Sequence, residues 1–173
     1  MPSMTHYMEL LASNQPWNLL IFMAVPVVLA ETLAITELYL LFTRNFQGAA
    51  RSLNKWAGVV VGVYFLGIFL YLFTTVVVPL TQTGGWRGVA DVVAVGCYLL
   101  GVVPLAGIAL LELGLLRRDG SVESKLKLHA IFVALFLVVA HVAMIAGMLN
   151  PEALARLGQE EPTHLQSEAG MQM

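Results

Sequence analysis

The stretch Trp17–Thr43, WNLLIFMAVPVVLAETLAITELYLLFT, is an almost unbroken apolar run with two carboxylates, Glu31 and Glu37, set inside it. A bilayer's hydrocarbon core of about 30 Å takes roughly 20 helical residues to cross, so the run is long enough to span it. An ionisable group within such a span costs about 2.5–3.5 kcal/mol or more, so each carboxylate needs a compensating partner. Pro26 adds a second constraint: it has no N–H to give, so it should kink the helix or leave the carbonyl of Phe22 free.

Working outward, the same apolar character recurs three times. Residues 17–43, 56–79, 89–116 and 128–149 read as four spans, preceded by residues 1–16 and followed by an acidic, polar tail, 150–173. A content of 58% hydrophobic and 12% charged residues, with mean hydropathy +0.79, is far from the roughly 25% charged residues of soluble domains. The fold class expected is therefore all-α: one polytopic four-transmembrane-helix bundle in a lipid bilayer. Tyr7, Met8, Leu10 and Leu11 beside His6 and Glu9 form a short amphipathic pattern suited to a helix at the membrane surface. Asn14, Gln15 and Pro16 end it, and Trp17 follows as an interfacial aromatic. Ahead of the first span there is no Lys or Arg, unlike a signal peptide, so that span is expected to be retained. The lone Cys97 excludes an internal disulfide or CxxC pair.

Charge reports orientation here. Of nine basic residues, only Arg87 and Arg156 lie away from the two loops joining spans one to two and three to four. Arg44, Arg51 and Lys55 fill the first of these loops, and Arg117, Arg118, Lys125 and Lys127 surround the second. The positive-inside rule then puts both termini outside, which in a bacterium means an inner-membrane protein with periplasmic termini. This pattern does not indicate a nucleic-acid partner.

Heptad-like spacing assigns faces. In span one, Met23, Val27, Ala30, Ala34, Glu37 and Leu41 share a face, with Glu31 at its edge. In span three the face is Asp91, Ala94, Tyr98, Gly101, Leu105, Ile108 and Glu112. In span four it is Ala130, Ala134, Leu137, His141, Met144 and Met148, with His129 one position earlier. Polar groups in a bilayer turn inward, so the three seams are expected to converge. Counting rise per residue puts His141 and Tyr98 in the outer third, Glu31 near the middle, and Glu37, Glu112 and His129 together near the inner face. Span two carries Gly58-x-x-x-Gly62, a pair that permits close helix contact.

These layers allow distinct chemistries. Carboxylate and imidazole at Glu37, Glu112 and His129 suit zinc, manganese or iron, a proton relay, or a salt-bridged edge involving Arg44, Arg117 or a protonated His129. His141, Met144 and Met148, with Met23, Tyr98 and Cys97 available on other helices, suit copper(I) or haem iron. They equally suit ordinary packing around a neutral His141 hydrogen-bonded to Glu31 or Tyr98. Glu31 reads either as the midplane group of a proton- or cation-coupled carrier or as a neutral carboxyl holding helices together. No nucleotide-binding, GKS or HExxH motif is present.

The segments His6–Leu11 (HYMELL), Asn14–Leu19 (NQPWNL) and Ala30–Glu37 (AETLAITE), and the fourth span around His129–Met148, resemble a group of small bacterial four-span proteins of unknown function sometimes labelled permeases. That resemblance implies a transport role and supplies no catalytic residues. In span number and a first-helix Glu the chain is also similar to small multidrug transporters, but it is longer and adds histidines. Three functions stay open: a permease for a metal cation or proton-coupled solute, with Glu31, Glu37, Tyr98, Glu112 and His141 on its path; a haem or copper redox protein centred on His141; or an accessory subunit, with a homo-oligomer or a larger membrane complex as partner.

Overall fold

The computed structural model of the chain describes residues 4–116 and 121–150; Arg117, Arg118, Arg156 and the acidic tail lie outside the described residues. The fold is all-helical, with four helices long and apolar enough to cross a membrane: Trp17–Thr43, Ala49–Thr83, Val89–Glu112 and Val122–Met148, the first to fourth spans below. A short N-terminal helix, His6–Ala12, precedes them and is N-capped by the Thr5 side chain.

Four helix ends differ clearly from the sequence reading. The second helix begins at Ala49, so Arg51 and Lys55 lie on its first turns instead of in a loop, and it continues to Thr83. The third stops at Glu112 instead of reaching 116. There Gly114 takes a left-handed φ of 73°, its N–H bonds to the Leu111 carbonyl, and the Leu115 N–H reaches back to Leu110. This is a Schellman stop, which glycine adopts without strain. The fourth helix starts earlier than 128, at Val122, where the Ser121 side chain caps it.

The spans pack in chain order around a square, one on two, two on three, three on four and four on one. The third is the most enclosed, half buried against 28% for each of the others. Of its predicted seam, Asp91, Ala94, Tyr98, Gly101, Leu105 and Ile108 are buried and Glu112, at the helix end, is partly exposed. Close approach depends on glycine. A Cβ on Gly62 would stand 2.5 Å from Ala109 Cβ and 2.6 Å from the Leu105 carbonyl oxygen; one on Gly58 would stand 2.9 Å from Ile108. The Phe136 ring sits over Gly101 and the Phe132 ring over Gly107 in the same manner.

Span four corrects the seam assigned to it. The buried face is Leu126, His129, Val133, Phe136, Ala143 and Gly147. It lies one position, about 100° of helix rotation, from Ala130, Ala134, Leu137, His141, Met144 and Met148. Seating Phe136 against Gly101 and His129 against span one fixes that rotation, which leaves His141 and Met148 exposed on the bundle surface. The three seams therefore do not all converge. The N-terminal helix also differs from a surface-lying amphipath, because Tyr7 and Leu11 are buried in the bundle's own core.

Pro26 acts as its chemistry dictates. Upstream of it, Leu20–Ala24 widens into a π-turn in which the Val25 N–H bonds to Leu20. That geometry and the missing proline N–H leave the carbonyls of Ile21 and Phe22 without intrahelical donors. The Tyr64 hydroxyl of span two donates to Ile21 O at 2.9 Å, and the Tyr98 hydroxyl of span three donates to Phe22 O at 2.5 Å. Two tyrosines thus close the backbone account of span one and tie it to both neighbours.

The glycine contacts give a controlled stability test. Gly62→Ala forces span two off span three and should destabilise the bundle by about 1–3 kcal/mol, read as a lowered melting temperature in detergent. Gly67→Ala, whose Cβ would meet nothing within 4 Å, should leave the temperature unchanged or slightly raised.

Candidate functional site

At the end of the bundle carrying the basic loops, side chains from all four spans meet. His129 of span four hydrogen-bonds through Nδ1 to Glu37 Oε1 of span one. Both are buried, at 1% and 2% exposure. Because a carboxylate only accepts, the Nδ1 proton belongs to the ring in the imidazole form of this pair. The other ring nitrogen, Nε2, is buried without a hydrogen-bond partner among the described residues and stands 3.6 Å from Glu112 Oε1 of span three.

Glu112 is itself clamped. Arg51 of span two donates from Nη1 to Oε1 and from Nη2 to Oε2, both at 2.8 Å, the two-pronged geometry a planar guanidinium supplies. Arg51 also donates to Asn54 Oδ1 at 3.1 Å, and Asn54, fully buried, donates to Thr36 Oγ1 at 2.9 Å. Thr36 returns its proton to the Thr32 carbonyl of its own helix. The cluster therefore holds two carboxylates, one guanidinium and one imidazole. It is electrically neutral when the Glu37–His129 pair carries one proton beyond imidazole and carboxylate, and carries net charge −1 without it.

The structure brings Glu37, Glu112 and His129 together, with Arg51 in place of Arg44 as the guanidinium; Arg117 lies outside the described residues. Arg51, Asn54 and Thr36 are the members of this cluster that the sequence reading did not assign to it. The signal was available: Arg51, Asn54, Gly58, Gly62 and Phe65 follow steps of three and four on one helical face, which becomes legible once the helix starts at Ala49. Among the described residues no group of three or more His, Cys, Asp or Glu is arranged to hold a metal ion.

The remaining candidates lie elsewhere. Glu31, Met23, Tyr98, His141 and Met144 line a groove of about 250 Å³ between spans one and four, walled also by Phe22, Val27, Phe136 and Leu137 and reached by Tyr7. Met148 does not line it and is 68% exposed. His141 Nδ1 lies 2.6 Å from the Leu137 carbonyl of its own helix, so that nitrogen carries the proton and neither Glu31 nor Tyr98 is its partner. Burial pushes the Tyr7 hydroxyl up to about 12, which keeps it protonated in the physiological range. A larger groove of about 410 Å³ between spans two and three is lined by apolar residues alone and suits lipid chains.

At the opposite end Asp91, fully buried, anchors the N-terminal helix. Its carboxylate accepts from the His6 N–H and lies 2.6 Å from His6 Nδ1, and it takes a third bond from the Arg87 N–H at 3.2 Å. Arg87 reaches back to Glu9 and to the Met4 carbonyl, while the Thr5 hydroxyl donates to Gly147 O.

Over residues 2–163 the chain matches a family described as a family of unknown function, DUF6803. No curated protein and no solved structure matches it.

The clamp predicts a directional mutant series. Arg51→Met removes the guanidinium from the largely enclosed Glu112 carboxylate and should cost about 3 kcal/mol, measured by thermal or chemical unfolding in detergent. Adding Glu112→Gln removes the orphaned charge and should restore most of that loss.

Proposed function

The chain belongs to this family of unknown function and is a small multi-pass membrane protein; we propose that it is a permease-like carrier coupling the movement of a cation to a proton, with Glu37 and His129 as the proton-holding pair. The observation that carries the reading is the buried Nε2 of His129, unpartnered among the described residues and directed within 3.6 Å of Glu112. A proton there balances the cluster. Its departure leaves one uncompensated negative charge in a low-dielectric interior, which a passing cation can balance instead. Loss of the proton from the cluster thus favours a cation in the adjoining layer, and this electrostatic linkage is the thermodynamic basis of exchange.

Glu31 supports the same reading from a second layer. It lies six residues before Glu37, about 9 Å along the helix, in the groove that also holds His141. Together the two layers form a route, with Tyr98 at the groove and Glu112 at the far end. Positive-inside asymmetry orients the Glu37–His129 cluster toward the cytoplasm and both termini toward the outside of a bacterial inner membrane.

Proteoliposomes test this. A pH gradient, acid inside, should drive uptake of organic or metal cations from a screened panel well above empty vesicles. Glu37→Gln and His129→Gln should each reduce the gradient-driven part by about tenfold or more. Equal uptake by His129→Gln and the parent protein would overturn the proposal.

A further inference from the structure

We infer that the groove between the first and fourth spans binds a protonated amine carried on a small apolar body, which names the cargo class for the carrier proposed above and rests on that reading only for its transport role. The walls set the body. Phe22, Met23, Val27, Phe136, Leu137 and Met144 give an aromatic and thioether surface with few polar atoms, and about 250 Å³ lies below the roughly 300–1,000 Å³ of drug-sized sites. A single ring with a short chain fits that space.

The polar complement sets the head group. Glu31 is the sole carboxylate lining the groove, and no Lys or Arg lines it. Among the described residues Glu31 has no hydrogen bond or ion pair, although a carboxylate on an apolar bundle surface needs one. His141 commits its Nδ1–H to Leu137 O, so the free nitrogen of the neutral ring, Nε2, is an acceptor. Tyr98 has given its only proton to Phe22 O. An anionic ligand would meet a carboxylate and two spent or accepting groups. An ammonium with N–H bonds finds a counter-charge at Glu31, acceptors at His141 and Tyr98, and the aromatic side chains of Phe22 and Phe136 in the groove wall. A quaternary ammonium keeps the charge and the aromatic wall but leaves both acceptors unanswered. Donor-bearing amines are therefore the preferred class.

Equilibrium binding to the purified full-length protein in nanodiscs tests this, with phenylethylammonium as the probe and its N,N,N-trimethyl analogue as the comparison. Saturable binding of phenylethylammonium is expected, about tenfold tighter than the trimethyl analogue for the loss of its charge-assisted hydrogen bonds. Glu31→Gln should weaken it by about tenfold or more and His141→Leu by a smaller factor. Both residues sit on the bundle surface, and among the described residues neither bonds another span, so melting temperatures of these variants should match the parent and certify the fold. His129→Gln should retain binding. No saturable binding, equal affinity for the two probes, or binding indifferent to Glu31→Gln would each overturn the assignment. Binding retained with no proton-driven uptake would instead sink the carrier reading and leave the site standing.

Discussion

Pro26 cannot donate to the carbonyl of Phe22, and in hydrocarbon that carbonyl has no water to turn to. Every polar atom of a membrane bundle faces the same demand, and the tertiary structure here is largely the set of answers. Tyr64 and Tyr98 answer for span one's backbone and bind it to spans two and three. Asp91, buried in the first turn of span three, is answered by the backbone and side chain of His6 and by the Arg87 N–H, which pins the N-terminal helix over the bundle end. Packing then follows the polar ties: glycines at 58, 62, 101 and 107 let the helices come close enough for the bonds to form.

Among the described residues, the cluster of Glu37, Arg51, Asn54, Glu112 and His129 is the largest of these answers and the one that joins all four spans. Arg51 and Glu112 form a closed pair whose geometry leaves little freedom. Glu37 and His129 differ, since one ring nitrogen is committed and the other is not. In the proposed carrier that second nitrogen takes up and releases a proton, and the net charge of the cluster changes between zero and −1 as it does so. The groove holding Glu31 and His141 is separate, apolar-walled and open on the bundle surface, so in the proposed carrier cargo recognition and proton storage would sit in different layers of the same first helix.

Much of this was legible in the chain. Span count follows from hydropathy, because crossing hydrocarbon leaves little alternative to apolar helices. The freed Phe22 carbonyl follows from Pro26, and the buried face of span three from its heptad spacing. The depth count grouped Glu37 with Glu112 and His129, since rise per residue is fixed. What the sequence withheld was rotation and helix ends. In span four, alanine, leucine and valine lie on every side, so periodicity cannot decide between the His129 face and the His141 face; only the fit of Phe136 against Gly101 does. Arg51 was hidden by a helix start placed seven residues late, because charged residues at a span's end read as loop. A docked N-terminal helix and a surface amphipath share one sequence pattern, and it is Asp91, eighty-five residues away, that separates them.

The account turns on the proton held between Glu37 and His129. Nitrogen-15 NMR of histidine-labelled protein in bilayers observes both ring nitrogens of His129 directly. The account predicts a resting ring whose proton occupancy makes the four-span cluster neutral, with the Nδ1 signal shifted by Glu37→Gln and the Nε2 signal by Arg51→Met, which unclamps Glu112. A His129 ring whose two nitrogens are indifferent to both substitutions would contradict it.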